Sequence, residues 1–328
     1  MTVVRGWPSL TAALSDRNSP ARLFIQERFG RWQDLQARYR QSVGPLAVPG
    51  GQANPATIGS AFDWMVRFMV HPRPDLRLAL AGVRVPPARR AVQEMALMFG
   101  YGDSDGVGTA QFSGPDTGTQ ADHQLLARAC WALALLTDLY RVGPAPRSPL
   151  MALAPRSITA EKLLDLASPE ALEELLTLRA SAERILLPAL AARRGAWALG
   201  PTFAGSSLMN ADADLIAAGL LLELKTSLGS KRRDGTRRSS LDAQIIMQLL
   251  GYVLLDFPDE FAIDAVGVYN TRYAHLATWH LPELLAELAG RPVDLKAERA
   301  AFHELLGTHT EVPPANSEAF DHAPMELK

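Results

Sequence analysis

One cysteine, Cys130, stands in 328 residues. A single thiol excludes an internal disulfide, and it cannot by itself hold a structural zinc or an iron–sulfur cluster. Cys130 lies in an apolar helical run, which reads as a buried, inert thiol. So little cysteine fits a reducing, cytoplasmic setting. Long apolar runs are also missing. No stretch reaches the roughly 18 uninterrupted apolar residues of a membrane span, and the opening MTVVRGWPSL lacks the apolar centre of a signal peptide. The run from Cys130 to Leu136 is short, is flanked by Arg128 and Asp138, and reads as a core helix. There is no excess of positive charge: 33 Lys and Arg stand against 35 Asp and Glu, a formal net charge of −2. A chain that bound nucleic acid through bulk electrostatics would be basic, so any such binding must go through a local patch. A glycine-rich phosphate loop is lacking, which argues against ATP hydrolysis. No histidine pair has the helical spacing with a nearby Glu of a zinc site; His275 and His280 are five apart, His303 and His309 six apart.

What is present is an ordinary globular composition, 48% hydrophobic and 21% charged. The length suffices for one large core or two modest domains. Leu and Ala dominate long stretches, so helix should dominate the fold. In the first 155 residues apolar positions recur at helical spacing over about 21–39, 58–70, 88–99 and 123–140. Ser19-Pro20 reads as a capped helix start. Trp64 and Trp131 read as packing residues, and Asp63, in the same apolar run as Trp64, as a residue on the solvated side. Residues 102–119, rich in Gly, Asp, Ser and Thr, read as an exposed loop. Residues 143–156 hold four prolines and read as a connector. The expected division is therefore a helical N-terminal region at 1–155, a second unit at 156–310 and a loose tail at 311–328.

The second unit changes its period. Ser168-Pro169-Glu170 reads as the start of a helix running to about Arg194, kinked or broken at Pro188. Short segments at Thr202–Met209, Ala211–Ala218 and Leu220–Ser227, separated by Asn210 and Gly219, suit a meander of three strands. A basic loop follows, then a helix over about 239–255, strands at Phe261–Asn270 and Arg272–His280, and helices near 282–288 and 295–306. This order predicts an α/β arrangement of helices around one small sheet.

Chemistry concentrates in that sheet. Glu223 and Lys225 are two apart in LLLELKTS, so they share one face of a strand while Leu222, Leu224 and Thr226 face the other way. A Glu–Lys pair on a solvated sheet face would account for those two alone. A hairpin at Gly219 would bring Asp214 opposite Glu223; Asp212, on the same face as Asp214, competes with it, and the spacing favours Asp214. In the next helix Gln244, Gln248, Tyr252 and Asp256 recur at i+4 and make one polar stripe on an otherwise apolar element. A solvated stripe would carry Lys, Glu and Arg, so this one should face something polar. Lys231, Arg232, Arg233, Arg237 and Arg238 lie between the strand and this helix. They read equally as a phosphate-binding patch or as a solvated loop.

ADADLIAAGLLLELKTS followed by QLLGY resembles the PD-(D/E)XK nuclease superfamily, in the branch typified by the RecB nuclease domain. That branch pairs a D…E-x-K core with a Q-x-x-x-Y helix, which fall here on Asp214, Glu223-Leu224-Lys225 and Gln248…Tyr252. The resemblance covers roughly residues 170–280, and Ala213 stands where the family name has Pro. It implies a restriction-endonuclease-like core with a large helical N-terminal region. It implies a DNA-hydrolysing nuclease, with DNA ahead of RNA as substrate, acting in defence against foreign DNA or in recombination and repair. The other readings are an inert nucleic-acid-binding or scaffold subunit, and an unrelated helical interaction protein whose motif match is chance. Mg²⁺ or Mn²⁺ would be held by Asp214, Glu223 and the Leu224 carbonyl, with Glu183, or next Glu174, as the acidic residue that the superfamily often has on the helix before the sheet. Lys225 would orient or help deprotonate the attacking water, and Gln248 and Tyr252 would position it, the Lys or the nucleic-acid backbone. The N-terminal region would form a wall of the groove or take a protein partner. The four cysteines of iron–sulfur relatives are absent.

Overall fold

Ala218 and Gly219 both have positive φ, 46° and 82°. This is the backbone that a two-residue type I′ turn demands, and it matches the twist of the strands that it joins. The turn closes Leu215–Ala217 onto Leu220–Lys225, with Ala217 opposite Leu220 and Leu215 opposite Leu222. Around this hairpin the sheet is built. In the computed structural model, residues 9–83, 85–102, 108–112, 122–154 and 157–310 are described. The expected tail at 311–328 and most of the expected 102–119 loop lie outside them, as do the last two residues of the proline-rich connector.

Among the described residues the strands are β1 (Gln111–Phe112), β2 (Trp197–Leu199), β3 (Leu215–Ala217), β4 (Leu220–Lys225), β5 (Ser230–Lys231), β6 (Arg237–Arg238), β7 (Ala265–Asn270) and β8 (His275–His280). Six form one mixed sheet in the order β1-β2-β3-β4-β7-β8, with only β4 and β7 parallel; β5 and β6 form a separate hairpin. The helices are α1 (Leu10–Ser15), α2 (Pro20–Phe29), α3 (Gln33–Ser42), α4 (Pro55–Val70), α5 (Arg77–Ala81), α6 (Pro86–Leu97), α7 (His123–Arg141), α8 (Ala160–Leu164), α9 (Pro169–Ala191), α10 (Ala243–Leu255), α11 (Leu281–Ala289) and α12 (Leu295–Thr310). The protein is thus α/β, with a six-stranded mixed sheet between helices. No described helix is long and apolar enough to cross a membrane.

Alternation along the strands sorts the core into two layers. Leu215, Leu220, Leu222 and Tyr269 pack with Ile58, Phe62 and Met65 of α4, with α7 and with α9. Ile216, Leu221, Val266 and Val268 pack on the other side with α1–α3, α10, α11 and α12. Each fully buried Leu or Phe contributes roughly 1.5–3 kcal/mol. The N-terminal helices supply apolar side chains to both layers, so the core does not divide at residue 155. Trp64 and Trp131 are buried, and Trp64 Nε1 donates to Thr137 Oγ1 at 3.1 Å. Cys130 is fully buried, and burial pushes its thiol up.

Several expected elements differ. The first strand of the meander is Trp197–Leu199, and Thr202–Met209 is not a strand. Ser206 bends that segment: its Oγ accepts the Phe203 N–H at 2.9 Å and donates to Ala211 O at 2.7 Å. Such local bonds compete with a ladder and leave a short 3₁₀ turn at Ala204–Ser207. The expected 21–39 helix is two, broken at Gly30, where Arg31 N–H donates to Leu288 O instead. Ser19 begins α2 but makes no side-chain cap bond, whereas Ser168 Oγ accepts the Ala171 N–H. Helix α9 runs three residues past Pro188, to Ala191. Gln111–Phe112, expected in an exposed loop, pairs with β2 at the sheet edge. The basic loop is the β5–β6 hairpin.

Candidate active site

The β3–β4 register, extended by one residue, sets Asp214 level with Glu223. Asp214 Oδ2 accepts the Leu224 N–H at 2.7 Å, and its carbonyl accepts the Gly200 N–H at 3.0 Å. Leu222 and Leu224 pack toward the α4 layer, so Glu223 and Lys225 project to the α10 side. Lys225 Nζ donates to Glu223 Oε1 at 2.6 Å. Glu223 is only 4% exposed, and its Oε2 is buried with no hydrogen-bond partner.

Helix α10 roofs this end of the hairpin. Gln248 Nε2 donates to the Tyr252 hydroxyl at 2.7 Å. The Tyr252 ring is buried and stacks on Phe203, centroids 5.5 Å apart. The polar stripe of α10 has three destinations. Gln244 donates to Ser15 Oγ at 3.1 Å. Asp256 accepts the Glu260 N–H at 2.9 Å and faces Arg299. Tyr252 feels the charges of Glu223 and Asp214, and Gln248 is bonded to its hydroxyl.

Charges at this place are out of balance. Burial first, then the charges of Glu223 and Asp63, hold the Asp214 carboxyl well above the carboxylate range, against Lys225 and the Leu224 N–H. Burial also raises Glu223, opposed by Lys225 and reinforced by Asp63 and Asp212. Burial would discharge Lys225, but Glu223 and Asp214 outweigh it and keep the ammonium protonated. Burial, then Glu223 and Asp214, push the Tyr252 phenol up, so it remains a neutral hydroxyl.

Other predicted residues go elsewhere. Glu183 is bound by Arg179 at 2.8 Å, four residues back on α9. Glu174 is buried against Arg272 and accepts the Gly51 N–H at 3.1 Å. Asp212 pairs with Arg141. In the β5–β6 hairpin Lys231, Arg232 and Arg233 are exposed. Arg237 and Arg238 are half-buried and donate to Gly229 O at 3.0 Å and Arg40 O at 2.8 Å.

One pair was missed. Asp63, expected on the solvated side, instead has a side chain 18% exposed, with Oδ1 buried and unpartnered. Its Oδ2 accepts from Arg67, one turn on, with Nε at 3.0 Å and Nη2 at 2.8 Å. Burial works against the Arg67 charge, but Asp63, with Asp214 and Asp212 behind it, keeps it firmly protonated. The available signal was an Asp–Arg pair at i,i+4 in a helix with no other charge.

Donor chemistry fits a hard divalent cation: two buried carboxylate oxygens lack partners, and the neighbouring carboxylates repel each other. Among the described residues, no three His, Cys, Asp or Glu side chains converge as a ready-made ligand set. Compared with family models, with curated proteins and with solved structures, the chain matches none.

Proposed function

We propose that this protein is a metal-dependent nuclease that hydrolyses DNA phosphodiester bonds, with Asp214, Glu223, Lys225, Gln248 and Tyr252 as its working residues. The observation that carries this reading is the junction of Asp214, buried Glu223 and Lys225 at one end of a hairpin, beneath the Gln248–Tyr252 pair. The order of elements supports it. A helix, α9, precedes an antiparallel meander of β2, β3 and β4; helix α10 then crosses to β7, which lies parallel to β4. This order supports reading the fold as a restriction-endonuclease-like core.

Asp214, Glu223 and the Leu224 carbonyl would hold Mg²⁺ or Mn²⁺. The ion would supply positive charge at the scissile phosphate and make a bound water more acidic. Lys225, kept protonated by its two carboxylates, acts as a charged donor that orients the water and stabilises charge building on the phosphate. Its raised proton affinity argues against a role as the base. Tyr252 stays a hydroxyl and can donate to a phosphate oxygen, while Gln248 fixes the phenol's direction. Lys231, Arg232 and Arg233 offer exposed positive charge to the nucleic-acid backbone.

The test is cleavage of single-stranded and duplex DNA by purified wild type and Lys225→Ala, with Mg²⁺, Mn²⁺ or EDTA. The expected result is metal-dependent cleavage that falls about 10²–10³-fold in the variant, the usual effect of removing one charge-stabilising donor. DNA binding by wild type without cleavage would point instead to an inert binding or scaffold subunit.

A further inference from the structure

Helix α4 carries two charged residues in sixteen, Asp63 and Arg67, and their placement is specific. Gly59, Asp63 and Arg67 follow each other at i+4 and so share one face. A Cβ on Gly59 would lie 3.3 Å from Thr226 Oγ1, next to Lys225 in the chain. At the other end, the Arg67 guanidinium fills the space that a Cβ on Gly200 would take, and the Gly200 N–H donates to the Asp214 carbonyl. This face therefore runs along the open end of the β3–β4 hairpin, from Thr226 to Gly200, with Asp63 between them and close enough for its charge to act on Asp214 and Glu223.

Asp63 and Glu223 are held alike. Arg67 occupies Asp63 Oδ2 and Lys225 occupies Glu223 Oε1, and in each the second oxygen is buried with no partner. The Glu223 side chain is only 6% exposed. A bare buried carboxylate oxygen is costly unless something fills its place. Three carboxyl groups, Asp63, Asp214 and Glu223, thus stand against two cationic side chains, Arg67 and Lys225, and a divalent cation would add the positive charge that suits an incoming phosphate.

We propose that Asp63 is a ligand of the divalent cation held by Asp214 and Glu223, and that Arg67 is the positioning residue that aims it. The inference rests on the nuclease reading and extends it: the N-terminal helical region supplies part of the metal centre, from a different helix than the one before the sheet. Among the described residues the three carboxylates do not converge as a ready-made ligand set.

Mn²⁺ binding to the full chain, followed by electron paramagnetic resonance without DNA, tests it. Wild type, Asp63→Asn, Asp214→Asn and the double variant Asp63→Asn/Arg67→Met are compared, with thermal melts as a folding check. The double variant removes the buried ion pair as a unit, so that no unpaired guanidinium is left to unfold the chain. The expected result is one wild-type site, weakened about tenfold or more in Asp214→Asn, in Asp63→Asn and in the double variant. Wild-type affinity in both Asp63 variants, with loss in Asp214→Asn, would overturn the role of Asp63 and leave the nuclease reading standing. A wild-type chain with no site sensitive to Asp214→Asn would overturn both.

Discussion

The carboxylate of Asp214 reaches across the β3–β4 turn to the N–H of Leu224, and that bond fixes it beside the buried Glu223. Its proton affinity is raised by burial and by Glu223. A carboxyl whose folded-state pKa is raised binds its proton more tightly folded than unfolded. Its ionisation therefore costs stability as pH rises through the ordinary carboxylate range toward the raised value, and the cost is complete above that value. Asn at 214 can still accept the Leu224 N–H but carries no charge. In EDTA at neutral pH, Asp214→Asn should melt ~2–5 °C above wild type, on the order of 1–2 kcal/mol for a chain of this size. The gap should shrink as pH falls toward the ordinary carboxylate range. A variant that melts below wild type at every pH would contradict the electrostatic picture.

The Gln248–Tyr252 bond separates activity from stability. Tyr252→Phe keeps the stack on Phe203 but removes the hydroxyl that accepts Gln248 Nε2. One such bond is worth about 0.5–1.5 kcal/mol to the fold. Its expected effect on cleavage is larger, about tenfold or more, because the same hydroxyl faces the carboxylates. Rates and melts on the same preparation check this. Unchanged cleavage would remove Tyr252 from the working set.

What the sequence made legible was local. Strand alternation placed Glu223 and Lys225 together, and the i+4 spacing placed Gln248 over Tyr252, because each depends only on the period of one element. Gly219 marked the hairpin, although the turn also needed Ala218 in a left-handed conformation that no Ala announces. The three-residue strand Trp197–Leu199 is too short and too evenly buried to show alternation, and the segment after it looked more strand-like until Ser206 bent it. Glu183 pairs with Arg179, one turn back on the same helix, a contact that the spacing allowed. Asp63 was invisible as a site residue because its neighbours Asp214 and Glu223 lie about 150 positions away, and only the packing of α4 on the sheet joins them.

Arg272 ties the segment before α4 to the sheet. Its Nε donates to Thr226 O at 2.6 Å, its Nη1 to Pro49 O at 2.9 Å and its Nη2 to buried Glu174, while its own carbonyl accepts the N–H groups of Ala47 and Val48. Arg272→Met should destabilise the protein by about 3–5 kcal/mol, because it leaves the Glu174 charge buried and unpaired. Adding Glu174→Gln should recover part of that loss. Urea unfolding of the two variants checks it, and equal stability of single and double would mean that the unpaired charge is not the cause.

The basic hairpin divides into two sets that predict different outcomes. Arg237 and Arg238 spend donors on Gly229 O and Arg40 O, so replacing them loosens the hairpin and its seat on α3. Lys231, Arg232 and Arg233 are exposed, so replacing them with Gln should leave the melt nearly unchanged. If these three meet phosphates, each phosphate that is no longer neutralised should flatten the dependence of log affinity on log salt by ~0.9 on duplex DNA. The triple variant should therefore bind more weakly at low salt and show a slope smaller by ~1–3. Binding in EDTA at several salt concentrations, where cleavage is silent, measures both quantities. An unchanged slope would make the hairpin a solvated one, and the positive charge that receives DNA would then have to lie nearer Lys225.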